Sequence, residues 1–393
     1  MIRRNIEPVL LRHAKTFPVV TVTGPRQAGK TTLCRAAFPD KPYVSLEPPD
    51  VRQFAHDDPR GFLAQYADGA IIDEVQRVPD LLSYIQSDVD EHPIPGRFVL
   101  TGSANLTLHD TVSQSLAGRA AVLTLLPLTL DEVQRFNVDT IELDDVLWRG
   151  SSPAVFDRKI DPHDWYSSYV STYVERDARA LLNIGNLTNL QRFVSLCAGR
   201  TAQLINLSSL GADTGIRHAT AGSWLSVLEA SYLVWRLPPL HANVMTRLVK
   251  TPKLHFFDSG LVCYLLGIRT ASQLRTHPLR GHIFETWVAA EVFKSQVNHG
   301  VAPALSFYRD RRGKEVDFLL DRGETFVAVE VKAGATIPSD AFDGLRAFDL
   351  IAAAAWPDRQ VIRRVVFGGT EGQDRSYARV IPWNRVHIAT DAR

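Results

Sequence analysis

Val19-Val20-Thr21-Val22-Thr23-Gly24-Pro25-Arg26-Gln27-Ala28-Gly29-Lys30-Thr31-Thr32-Leu33 is the stretch whose reading decides the fold. Its first residues are a β-branched apolar run, and residues 24–31 satisfy GxxxxGK[ST] in full, directly before a helix-compatible segment that starts at Lys30. Strand, glycine loop and helix are the context this motif requires. The glycines let backbone N–H groups converge on phosphate oxygens at a helix N-terminus, where the dipole also favours negative charge. Lys30 adds a cation and Thr31 an oxygen ligand for magnesium. Gly24, Pro25, Arg26, Gln27, Ala28, Gly29, Lys30, Thr31 and Thr32 are therefore the expected phosphate cradle.

Working outward, residues 19–23, 43–46, 70–72, 98–101 and 121–125 are short apolar runs separated by helical stretches. That alternation predicts a parallel α/β sheet buried on both faces. Ala70-Ile71-Ile72-Asp73-Glu74 reads as a buried strand ending in two carboxylates. Asp73 would complete the magnesium shell, and Glu74 would orient or deprotonate the attacking water. With the loop, this pair predicts a Mg-dependent ATP-binding protein that hydrolyses ATP, with ATP and Mg2+ as cofactors. Phe98-Val99-Leu100-Thr101-Gly102-Ser103 is a further strand ending in small polar residues, so Thr101, Ser103 or Asn105 is the candidate sensor of the terminal phosphate. Arg119 is a candidate for stabilising transition-state charge, in cis or across a subunit interface, with Arg26 as its rival and a plain sheet-edge arginine as the alternative.

GPRQAGKTTL, AIIDEVQ, VLTGSAN and LAGRAAVLTLLPLTLDEV resemble the AAA-type P-loop ATPases of prokaryotes that carry a C-terminal domain of unknown function. The resemblance extends through TYVERDAR and KTPKLHFFDSGL, hence through nearly the whole chain. It implies that the C-terminal part is related to restriction-endonuclease-like folds. One departure lies at Arg149-Gly150-Ser151-Ser152-Pro153, where such relatives tend to show a glycine pair and an aromatic residue before the proline.

Residues 208–220 read as a short helix, a glycine-containing turn and a second helix through Glu229, packed by Leu210, Ile216, Trp224, Leu225 and Leu228. Alternation over residues 233–237 suggests a wing. If this unit reads DNA, Arg217, His218, Thr220 and Ser223 open the second helix and Arg247, Lys250 and Lys253 meet phosphates. A packing or dimerisation role stays equally open.

Farther on, a helix from Arg280 leads into two expected strands, residues 305–320 and 325–332. Glu315 and Asp317 share one strand face, and so do Glu330 and Lys332. The turn Asp321-Arg322-Gly323-Glu324 brings the two pairs together across a hairpin. Buried like charges are costly unless something compensates them. A second divalent metal on Asp317 and Glu330, with Glu285 as a further ligand and Lys332 beside a scissile phosphate, would do so. The arrangement is similar to the PD-(D/E)XK nuclease core. Arg309, Arg311, Arg312 and Lys314 could track a phosphate backbone, although such runs are commonly solvated.

The expected architecture is thus α/β: residues 1–140 a P-loop NTPase parallel sheet, 141–200 a helical connector, 201–270 a winged-helix module and 271–393 an α/β restriction-endonuclease-like domain. The 393 residues suffice for several such cores. With 44 basic and 43 acidic side chains, a net charge of +1 supplies no whole-molecule field to attract nucleic acid, so DNA binding would need local patches. Cys34, Cys197 and Cys263 are far apart, which excludes a zinc motif or disulfide framework and fits a reducing, cytoplasmic setting. No apolar stretch is long enough to span a bilayer, and the N-terminus reads as an amphipathic helix instead of a signal peptide. Two functions remain: an ATPase driving a DNA-binding, nuclease-like module, or a nucleotide-dependent switch whose C-terminal module binds DNA or a protein partner, or forms a homo-oligomer, without cutting. A metabolic small-molecule kinase fits less well, because no acceptor site is recognisable.

Overall fold

The computed structural model describes residues 2–102, 116–136, 142–174, 187–240 and 249–390. Ser103 and Asn105, Arg247, and the residues 175–179 of TYVERDAR lie outside them.

Five strands, β1 (Val19–Thr23), β2 (Tyr43–Ser45), β3 (Ala70–Asp73), β4 (Phe98–Thr101) and β5 (Ala120–Thr124), form a parallel sheet in the order β2-β3-β4-β1-β5. Every residue of β1, β3 and β4 is buried, because helices cover both faces and each face needs apolar side chains. Two separate apolar clusters lie on the two sides, one around Ile72, Leu82 and Leu100 and one around Leu10, Val20 and Leu33. All five strands run the same way, so the loops that leave their C-terminal ends gather along one edge of the sheet.

Beyond the sheet, a small antiparallel sheet is built from β6 (Gln203–Leu204), β7 (Val234–Leu237) and β8 (Lys253–Phe256), ordered β6-β8-β7. Beside it lie the helices Leu207–Thr214 and His218–Ala230. Asn206 caps the first by accepting the Ser209 N–H, and Gly215, at φ 78°, lets the chain turn where a side chain would be strained. Leu210, Trp224, Leu225 and Leu228 are buried between them, and Ile216 is half-buried.

The last sheet holds β9 (Leu305–Arg309), β10 (Glu315–Asp321), β11 (Thr325–Lys332), β12 (Gln360–Phe367), β13 (Gln373–Asp374) and β14 (Arg379–Pro382), ordered β13-β14-β12-β11-β10-β9. β9, β10 and β11 are antiparallel, whereas β11, β12 and β14 are parallel. The helix Asp343–Ala355 packs on one face. Against the other lies the helix Arg280–Asn298, whose buried residues surround its axis, as a central helix requires. One apolar cluster runs without a break from Leu126 to Ala389, through the connector, the small sheet and this helix.

The expected single strand over residues 305–320 is corrected to two. Asp310 accepts the backbone N–H groups of Arg312 (2.8 Å) and Lys314 (2.9 Å), and Gly313 takes φ 84°, so the charged stretch closes a turn.

Candidate nucleotide site and carboxylate cluster

Gly24, at φ 141°, lies so close to the next strand that a Cβ there would fall 2.1 Å from the Leu125 carbonyl oxygen. Gly29 at φ 92° turns the chain into the helix Lys30–Ala37. The Lys30 ammonium donates to the carbonyls of Gly24 (3.0 Å) and Pro25 (2.8 Å), and burial lowers its pKa to about 8. Residues 26–33 and Glu74 line a cleft of about 370 Å3, whose far wall is Ile2, Leu128, Phe136, Pro153 and Arg158. That volume suits a small-molecule ligand.

Across the loop, Asp73 accepts hydroxyl hydrogen bonds from Thr31 (3.0 Å), Tyr43 (2.9 Å) and Thr101. Burial, and then the bond to Asp73, pushes the Tyr43 phenol up to about 12. Glu74 follows in the left-handed region at φ 60°, held by the Gln76 amide. Thr31 and Asp73 are thus joined, an oxygen pair that fits a magnesium ion, and Thr101 is the sensor candidate that lies among the described residues.

Arg119 is elsewhere. It precedes β5, beside the start of β1, since the Val19 N–H donates to its carbonyl. The phosphate loop leaves the opposite end of β1, a strand length of roughly 16 Å away. Its guanidinium binds Asp90 at the surface. The cis role is therefore corrected, because a parallel strand puts the residue before it at the edge away from the loop. Arg26 lines the cleft.

Sequence reading missed Arg4. Only 7% exposed, its guanidinium donates to Glu132 (3.0 Å), to the Ala28 carbonyl of the loop (2.8 Å) and to the Leu126 carbonyl (2.8 Å). Thr129-Leu130-Asp131-Glu132 forms a capping box, the one signal that pointed to Glu132. The same stretch also binds the C-terminal half. The Leu130 N–H donates to Glu291 (2.8 Å), and the buried Lys294 ammonium donates to the Leu128 carbonyl (2.9 Å) and to Ser151 Oγ (3.2 Å). Asp258, whose carboxyl is pushed up by burial, accepts from Ser151 N–H (3.1 Å), Gly260 N–H (2.9 Å) and the Tyr166 hydroxyl (2.8 Å). A chain of buried polar contacts thus runs from the phosphate loop to the helix Arg280–Asn298.

In the last sheet, β10 pairs with β11 so that Phe318 faces Val329, which brings Asp317 beside Glu330. Asp317 accepts the Val331 N–H (2.8 Å), and Lys332 pairs with Glu330 (2.6 Å). Glu285, Glu315 and Asp317 offer oxygens that all lie within 4.8 Å of one another. Glu330 is not among that set, and Glu315 takes the place expected for it. The compensating charge is Lys253, which sequence reading assigned to phosphate contacts. Only 2% exposed, its ammonium lies 2.7 Å from Glu285 and 3.6 Å from Asp317 and also pairs with Glu315. That role is corrected: a lysine so buried cannot reach a nucleic acid backbone. Burial would lower Lys253, but Glu285, Asp317 and Glu315 outweigh it and raise its pKa. Burial, then the Asp317 charge, pushes Glu285 up to about 8.

Of the other expected contacts, Arg217, His218, Ser223 and Lys250 are exposed and Thr220 is half-buried. Arg309 binds Glu315 (2.8 Å), Lys314 binds Asp343 (2.8 Å), and Arg311 and Arg312 are exposed. Among the described residues no helix is long and apolar enough to cross a membrane.

A family model described as an AAA domain matches residues 16–134, so the N-terminal part is an ATP-binding, AAA-type P-loop ATPase domain. Two domains of unknown function, DUF8612 and DUF4143, match residues 140–272 and 280–386. The chain is similar to the uncharacterized protein Rv2008c of Mycobacterium tuberculosis, at 31% identity over 340 residues, covering 85% of this chain and 74% of that protein. The uncharacterized protein Mb2031c of Mycobacterium bovis matches with the same figures. Among solved structures, the Walker-type ATPase PABY2304 of Pyrococcus abyssi is 15% identical with a TM-score of 0.46, covering 67% of this chain and 95% of that one. AMPPCP-bound DnaA from Aquifex aeolicus is 15% identical with a TM-score of 0.31, covering 57% and 85%.

Proposed function

The chain belongs to the family of the mycobacterial proteins Rv2008c and Mb2031c, and from that premise we propose that it is a Mg-dependent ATP hydrolase whose nucleotide state sets a DNA-binding C-terminal half. The observation that carries this reading is the union of Lys30, Thr31 and Asp73 at a loop that Arg4, Glu132, Glu291 and Lys294 tie to the C-terminal half. Thr31 and Asp73 would hold magnesium, which supplies positive charge to the phosphates. Lys30 neutralises the transferring phosphate, and the loop amides orient it. Glu74, set apart in its left-handed turn on the cleft wall, is placed to take the proton of the attacking water. With Arg119 at the far edge, Arg26 is the in-chain arginine for transition-state charge, and Arg119 acts only if a second subunit receives it.

DNA contact falls to the exposed Arg217, His218 and Ser223 at the start of the helix His218–Ala230, in a winged-helix reading of that helix pair and the β7–β8 pair. The C-terminal half would contact DNA without cleaving it, because Glu285, Glu315 and Asp317 are already joined to Lys253.

The ATPase rate of the full chain, with and without duplex and single-stranded DNA, tests both parts. Turnover lost in Lys30→Ala and raised by DNA supports the proposal. Turnover that survives Lys30→Ala removes the hydrolase reading. A DNA-indifferent rate, together with no DNA binding in either nucleotide state, leaves the switch acting on a protein partner.

A further inference from the structure

We infer that Lys253 is the resident cation of the C-terminal carboxylate cluster, and that this site takes no divalent metal. The three oxygens of Glu285, Glu315 and Asp317 lie at the spacing of a metal-binding set. Their common neighbour, however, is an ammonium group with as many N–H donors as there are carboxylates around it. A divalent ion would have to displace that ammonium, whose backbone is fixed: Lys253 lies in β8, the central strand of its sheet, hydrogen-bonded between β6 and β7, with its head 5.5 Å from the Phe307 ring.

Most of the outer oxygens are engaged as well. Glu315 takes its second bond from Arg309 (2.8 Å), Asp317 from the Val331 N–H (2.8 Å), and Oε1 of Glu330 is held by Lys332 (2.6 Å), whereas Oε2 of Glu330 is buried without a hydrogen-bond donor. Four carboxylates therefore face three cations without any metal. Magnesium and manganese demand a near-octahedral shell of oxygens, several of them waters, and a centre already filled by an ammonium group does not offer one. The cluster does structural work instead. Lys253 belongs to the small sheet, Glu285 to the long helix and Glu315 and Asp317 to the large sheet, so the ammonium fastens three elements at one point.

Manganese binding to the full chain, counted by electron paramagnetic resonance without nucleotide, tests this. Asp73→Asn is placed in every sample so that the phosphate loop contributes no metal site. With Lys253 intact, adding Asp317→Asn should leave the number of bound manganese ions unchanged. Lys253→Met should gain about one ion per chain, and Asp317→Asn should abolish that gain. An Asp317-dependent ion in the chain that keeps Lys253 overturns the inference, and that arm decides it even if Lys253→Met does not fold. A folded Lys253→Met chain that gains no ion overturns the part of the inference that gives Lys253 the place of the metal. Neither result bears on nucleotide binding, which the Lys30→Ala comparison judges separately.

Discussion

Arg4→Met should be the most damaging single change outside the phosphate loop. The methionine fills similar space but leaves Glu132, which is fully buried, facing no cation. Removing one partner of such a pair costs about 3 to 5 kcal/mol, because the other charge stays desolvated. Two residual bonds moderate this. The backbone N–H groups of Asn5 (2.6 Å) and Thr129 (3.0 Å) still donate to Glu132, which argues for the lower end, about 3 kcal/mol. Against that, the carbonyls of Ala28 and Leu126 each lose a charged donor, worth about 1.5 kcal/mol or more apiece. A loss of about 6 kcal/mol is therefore expected by urea unfolding. Since Ala28 belongs to the phosphate loop, ATP affinity should fall with it. Arg4→Met/Glu132→Gln should recover part of the stability, because the stranded charge is gone, whereas affinity should stay low. A loss under about 1 kcal/mol, or a double variant whose loss equals the sum of the singles, would refute the reasoning.

Glu74→Gln should bind ATP as the parent chain does and turn it over about 100-fold more slowly or less, the scale of a lost general base; equal rates would remove Glu74 from the chemistry. Gly150→Ala should lower stability by more than about 1 kcal/mol in the same unfolding assay, since its φ is 69° and a Cβ would lie 2.1 Å from Asp258 Oδ1 and 2.3 Å from the Tyr166 hydroxyl. Tyr166→Phe should cost about 1 to 3 kcal/mol by leaving Asp258 short of a donor; an unchanged midpoint counts against the buried network. Burial pushes the thiols of Cys34 and Cys197 up to about 12 and that of Cys263 higher still, so Ellman's reagent at pH 8 should find no reactive thiol in the folded chain and all three after denaturation.

The phosphate loop was legible because its chemistry is local. Strand, glycines, lysine and hydroxyl are contiguous, and backbone geometry alone converts their spacing into a cradle. The hairpin of β10 and β11 was legible for the same reason: a two-residue period and a tight turn fix which side chains share a face, so Asp317 meets Glu330 as expected. Arg119 shows where that reasoning stops. Its closeness in sequence to β5 says nothing about which end of β5 faces the loop, and parallel pairing with β1 places it at the wrong one.

The sequence by itself determined the phosphate loop, the strands that carry it and the acidic residues of the last hairpin, all set by contacts within a few residues. Only the tertiary structure decided what neutralises those acids. Lys253 stands 32 residues before Glu285 and Arg4 stands 128 before Glu132, and no periodicity links residues so far apart. A buried carboxylate must find a cation, but its identity, metal or lysine, is settled by which strand the fold lays beside it.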